Sequence, residues 1–123
     1  MILDHIGISV SDLDRSNAFF TKALAPLGIT LVKEEKGWSG FGRNGIAQFW
    51  IGAGEKPQLP MHIAFAAGTR AQVKDFYEAA LLAGGKDNGA PGIRAIYHPN
   101  YFGAFVIGPD GHNIEAVCHA PES

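Results

Sequence analysis

Two histidines and one glutamate carry the most chemistry per residue in this chain: His5, His62 and Glu115. Two imidazoles and a carboxylate form a ligand set for a divalent ion, such as Fe, Mn, Zn or Ni. Spacing along the chain does not join them, but an internal repeat does. His5-Ile6-Gly7-Ile8-Ser9-Val10 resembles His62-Ile63-Ala64-Phe65-Ala66-Ala67 at an offset of 57. The same offset carries Phe19-Phe20 onto Phe76-Tyr77, Leu24 onto Leu81 and Gly28 onto Gly85. Both imidazoles therefore fall at equivalent positions of a duplicated module. Alternation sets Ile6, Ile8 and Val10 on one face of a strand and His5, Gly7 and Ser9 on the other. In Asn113-Ile114-Glu115-Ala116-Val117 the same rule turns Ile114 and Ala116 to the core and Glu115 away from it. That points Glu115 into the same cavity as the histidines, where a carboxylate is costly unless it is paired or coordinating. Each histidine is followed on its own face by small residues, which leave room for a ligand.

Each module reads as strand, helix and three strands. A helix begins at about Asp12, with Leu13, Asn17, Phe20 and Leu24 on one stripe. The second begins at the capping box Thr69-x-x-Gln72, buries Val73, Phe76, Tyr77, Ala80 and Leu81, and stops at Gly84-Gly85. Strands are expected around 29–35, 38–43 and 46–51, with counterparts around 93–97, 101–107 and 113–118. Gly42-x-x-Gly45 matches Gly108-x-x-Gly111 at an offset of 66, so the second module has gained nine residues, assigned to the loop-like stretch Asp87–Gly92. The chain is expected to be a single domain: module one over about 1–52, a Gly- and Pro-rich linker over 53–60, and module two over about 61–119.

The bulk composition is that of one globular domain of 123 residues with 46% hydrophobic and 18% charged residues, and the strand-helix-strand order makes its expected class α+β. A net charge of −2 without a basic cluster argues against a nucleic-acid partner. The absence of a long apolar run argues against a membrane span. The first ten residues do not read as a signal peptide, and the single cysteine, Cys118, fits a reducing cytoplasm.

Over essentially its whole length the sequence resembles the vicinal oxygen chelate superfamily of glyoxalases, bleomycin-resistance proteins and extradiol dioxygenases. The resemblance rests on Asp4–Leu13, His62-Ile63-Ala64-Phe65 and, most specifically, Gly108-Pro109-Asp110-Gly111-His112-Asn113-Ile114-Glu115. It implies two βαβββ modules in a cupped, open, eight-stranded mixed sheet with helices on the convex face, and a metal and small-molecule substrate inside the cup. It also implies that His5, His62 and Glu115 are the metal ligands. Glyoxalase I-type lyases and isomerases of the family use a fourth ligand, the first-module counterpart of Glu115. Counting from Gly45 puts Phe49 there, so the three-ligand, dioxygenase-like or transferase-like arrangement is favoured. Antibiotic-binding members without an ion are the alternative, with Trp38, Phe41, Phe49 and Trp50 as a stacking surface. A homodimer is expected by family analogy, with the modules closing within one chain or exchanging between two.

Around this set, Arg94, Tyr97, Asn100 and Phe49 are candidate substrate contacts, and His98 and Tyr101 are proton-transfer candidates beside Glu115. His112 is expected to face solvent from its turn, Cys118 to be an inert core thiol, and His119 to have no role.

Overall fold

A computed structural model describes residues 3–54 and 59–122 of the protein. Part of the expected linker, residues 55–58, therefore lies outside the described residues. The element order is β1 (Ile6–Val10), α1 (Leu13–Leu24), a 3-10 turn (Ala25–Leu27), β2 (Thr30–Glu35), β3 (Trp38–Arg43) and β4 (Ile46–Ala53). The pattern then repeats as β5 (His62–Ala66), α2 (Arg70–Leu82), β6 (Lys86–Ile93), β7 (Phe102–Ile107) and β8 (Asn113–Cys118).

The helix signals act where the sequence places them. Asp12 caps α1 by accepting from the Arg15 amide, and Thr69 with Gln72 forms a reciprocal capping box on α2. Gly84 takes a left-handed φ of +99° just past α2, and the Gly85 amide returns to the Ala80 carbonyl. Phe19, Phe20, Ala23 and Leu24 of α1 and Val73, Phe76 and Ala80 of α2 are buried with Ile8, Val10, Ile51, Ile114 and Ala116 from the strands.

The eight strands hydrogen-bond as two four-stranded mixed sheets, ordered β1-β4-β3-β2 and β5-β8-β7-β6. In each, the first strand runs parallel to the last and the other pairs are antiparallel. The modules meet through α1 and α2 and through ring and backbone contacts. Phe49 packs edge-on against Phe65 at 5.2 Å, and the Arg43 guanidinium donates to the Ala66 carbonyl. β1 and β5 are thus left as sheet edges, and His62, Ala64 and Ala66 are exposed.

Two expectations are corrected. The sixth strand occupies Lys86–Ile93 rather than 93–97, so the stretch read as an inserted loop is itself a strand. It lies at a sheet edge, where Pro91 removes no needed ladder bond, and two register shifts around Gly89 absorb its irregular residues. Part of the added length lies instead in the turn over 94–101, where β2 and β3 are joined by only Lys36-Gly37.

The second correction concerns the counterpart of Glu115. Strand pairing places Ala64 opposite Glu115 and Gly7 opposite Trp50. Gly7 and Ala64 are repeat mates, so Trp50 and not Phe49 occupies the equivalent position. A bulge skips Gln48 between the Phe41–Phe49 and Gly42–Ala47 pairs, and this extra residue reverses the parity read from Gly45. Phe49 consequently faces the core, 3% exposed and 5.0 Å from the Phe20 ring.

Candidate metal and substrate site

On the face of the second sheet away from α2, β8 delivers Glu115 between two partners. Its side chain is fully buried, Oε1 accepts from His62 Nε2 at 2.8 Å, and Oε2 accepts from the Tyr101 hydroxyl. His62 is the first residue of β5 and its ring is about half exposed, so the pair has a dry carboxylate below and an accessible imidazole above. Tyr101 returns to the sheet because the turn before it closes on itself. The Arg94 amide donates to the Tyr101 carbonyl, and the Tyr101 amide donates to the His98 carbonyl. Burial, and next the bond to Glu115, push the Tyr101 phenol up to about 12, so it stays protonated at neutral pH.

Gly103 lies against this contact and leaves it room. A Cβ there would lie 3.2 Å from both Glu115 Oε2 and the Tyr101 ring. Phe105, opposite Glu115 in the ladder, backs the His62 ring at 6.1 Å and carries the Arg94 guanidinium over its own face at 5.3 Å. Phe105 was not singled out by sequence, although its pairing with the Glu115 strand would have shown it. Arg94 is held over that ring by bonds to the Gly92 and Ala90 carbonyls.

The remaining candidates divide. The Tyr97 ring lies 5.1 Å from that of Tyr101, tilted by 57°, and is exposed, so it borders the same patch. His98 does not contact Glu115; its ring stands 5.6 Å from His119, while its Nδ1 accepts from the Asn100 amide. His119, assigned no role, lies 5.2 Å from the Tyr101 ring. Asn100 contributes its backbone amide to the turn. Contrary to expectation His112 is buried, at 2% exposure, because its ring turns under the start of β5 instead of outward. Burial holds its pKa below the ordinary histidine value. Cys118 is a free, buried thiol.

His5 sits on the other module. It lies just before β1, and its Nδ1–H donates to Asp4 at 2.7 Å, which leaves the lone pair on Nε2. On one side His5 borders a recess with Gly7, Trp38, Ala47 and Trp50. On the other it joins His62 at an apolar crevice of about 290 Å³ between the modules, floored by Ile29, Phe41 and Phe49. Among the described residues no three His, Cys, Asp or Glu side chains gather within reach of one ion. The chain thus brings together two of the three expected ligands, His62 and Glu115, and leaves His5 apart.

Comparison with known proteins settles the family. The model of the Glyoxalase/Bleomycin resistance protein/Dioxygenase superfamily matches residues 2–116. The chain belongs to this superfamily. A crystal structure of a glyoxalase/bleomycin resistance protein from Albidiferax ferrireducens T118 is similar over 98% of this chain and 100% of its own, with 25% identity and a TM-score of 0.83. A glyoxalase-related enzyme from Fulvimarina pelagi (18% identity, 96% and 87% covered, TM-score 0.72) shares the fold. So does a glyoxalase/bleomycin resistance protein/dioxygenase family enzyme from Burkholderia phytofirmans PsJN (16% identity, 95% and 98% covered, TM-score 0.73). No curated protein matches the chain. No helix among the described residues of this superfamily member is long and apolar enough to cross a membrane.

The spacing and partners of the donor atoms are compatible with a metal. Neighbouring ligand atoms on one ion, with bonds of about 2.1 Å, stand about 3 Å apart. The 2.8 Å between His62 Nε2 and Glu115 Oε1 fits that spacing. Asp4 on the Nδ1 of His5 also fits, since a ligating imidazole commonly donates its other N–H to a carboxylate.

Proposed function

We propose that the protein is a divalent-metal-dependent enzyme acting on a small, oxygen-rich substrate, with its site completed between two copies of the chain. His62 and Glu115 of one subunit and His5 of the partner subunit would hold the ion, in a homodimer formed by exchange of modules. The observation that carries this reading is the fully buried Glu115 carboxylate beneath the exposed His62 imidazole, 2.8 Å apart. A buried carboxylate is expensive without strong partners, and placing it under an accessible imidazole suits ion capture better than packing.

Exchange is favoured because β1 and β5 are both sheet edges, and open edges with small exposed residues invite pairing with another copy. When bound, the ion supplies Lewis acidity to a substrate chelating through neighbouring oxygens. Tyr101 holds Glu115 and keeps its own proton, Phe105 excludes water behind His62, and Arg94 with Tyr97 offers a cationic and aromatic rim to the substrate. Trp50 in place of a fourth carboxylate favours dioxygenase- or transferase-like chemistry over a four-ligand isomerase.

Titration of metal-free protein with Mn(II), Fe(II), Zn(II) and Ni(II) by calorimetry tests this. One ion bound per subunit, lost in His62→Ala and Glu115→Gln, is expected; wild-type protein that takes up none of the four would end the reading. A second reading, metal-free binding of a flat organic molecule, draws on the recess walled by Trp38 and Trp50. Quenching of tryptophan fluorescence by such ligands in chelator-treated protein would favour it.

A further inference from the structure

The turn before β8 holds a histidine that neither the metal set nor the substrate rim uses. His112 is almost completely buried, and its Nδ1 accepts the Met61 amide at 2.9 Å. The Asn113 amide in turn donates to the Met61 carbonyl at 2.8 Å. Both polar groups of the peptide units flanking Met61 are thereby gripped by consecutive residues of one turn. The next residue is His62, the first position of the β5–β8 ladder. Residues 59–61 before it belong to no strand, and β5 has a neighbour on one side only.

We infer that His112 is a positioning residue for His62: it clasps Met61 so that the imidazole one residue later stands over Glu115. Accepting at Nδ1 places the ring proton on Nε2, which is buried without a hydrogen-bond partner among the described residues. An unpaired buried N–H is costly. A leucine would fill the space without that cost but would remove the Nδ1 acceptor that holds the Met61 amide. The clasp also reaches the first module. Asp110, two residues earlier, accepts from the Ser11 amide at 3.1 Å and lies 3.4 Å from the Ser16 hydroxyl, tying the turn to the start of α1.

The inference rests on the reading of His62 as a ligand, so the test separates the two. Asparagine presents a side-chain oxygen where histidine has Nδ1, whereas glutamine reaches the position of Nε2. The full chain is compared as wild type, His112→Asn, His112→Gln and His112→Ala by Mn(II) titration and by hydrogen exchange of the Met61 amide without metal. Expected are about 10- to 100-fold weaker Mn(II) binding in the Gln and Ala variants, the usual range for an outer-shell change, with faster Met61 exchange and near-wild-type behaviour in Asn. Should Ala fail to fold, the Asn and Gln pair decides. Gln binding as tightly as wild type, or Asn as weakly as Gln, overturns the inference. If wild type binds no Mn(II), the metal reading fails, while the exchange rate still decides the clasp: unprotected Met61 in wild type, or Gln protected as fully as wild type, overturns it.

Discussion

The two concave faces are copies of one backbone with opposite chemistry. In the second module Glu115 pairs with Phe105 across the ladder, and His62 lies inside the β5–β8 register. In the first, Trp50 pairs with Gly40, and His5 lies one residue before the β1–β4 register begins. The acid is seated by a glycine that makes room for a tyrosine. The indoles are seated by glycines that make room for themselves: a Cβ at Gly52 would lie 2.5 Å from Trp38, and one at Gly40 2.9 Å from Trp50. Duplication thus supplied two equivalent floors, of which one carries a buried carboxylate under an imidazole and the other presents flat apolar surface. A ligand held between such faces would be fixed by charge on one side and by contact area on the other.

Substitutions on each face should fail in different ways. Glu115→Gln should cost more in metal affinity than the roughly 100-fold upper end of outer-shell changes, leaving circular dichroism native-like. Tyr101→Phe removes one hydrogen bond to the buried carboxylate and should weaken metal binding by about 10- to 100-fold by calorimetry. Gly52→Ala forces a methyl into the Trp38 ring; it should lower stability by about 1–3 kcal/mol in urea unfolding and shift tryptophan emission, with metal uptake unchanged. If Gly52→Ala abolished metal uptake, the division of labour between the faces would be lost.

The smallest expected effect is a pH slope. Burial lowers the pKa of His112 below the ordinary histidine value, so the unfolded chain binds its proton first as the solution is acidified. This part of the stability is therefore present above about pH 6.5 and is lost as pH falls below it. His112→Asn should flatten that part of the melting-temperature profile. An unchanged slope would assign it to other groups.

Much of this was legible because local rules were obeyed. Asp12, the Thr69–Gln72 box and Gly84 set the helix ends, and simple alternation turned Glu115 away from α2. The failures have definite physical causes. A bulge at Gln48 reverses parity invisibly, which exchanged Phe49 for Trp50. Asp-Asn-Gly-Ala-Pro-Gly carries every loop signal, yet an edge strand tolerates it through bulges. His112 follows a Pro-Asp-Gly turn, where side chains usually meet water, and only the long-range contact with Met61 turns it inward. Tyr101 reached Glu115 as proposed by residue type, while His98 did not, because its ring stands against His119 and its Nδ1 is taken by the Asn100 amide.

The central claim, a site shared between two copies, is tested most directly by mixing two defective proteins. His5→Ala and Glu115→Gln would each bind no metal as pure homodimers. After unfolding and refolding together, exchanged heterodimers carry both defects in one cup and neither in the other. Metal binding should then return to about one ion per heterodimer. Mixtures as empty as their parents would contradict a shared site and place His5, His62 and Glu115 either within one chain or outside the chemistry altogether.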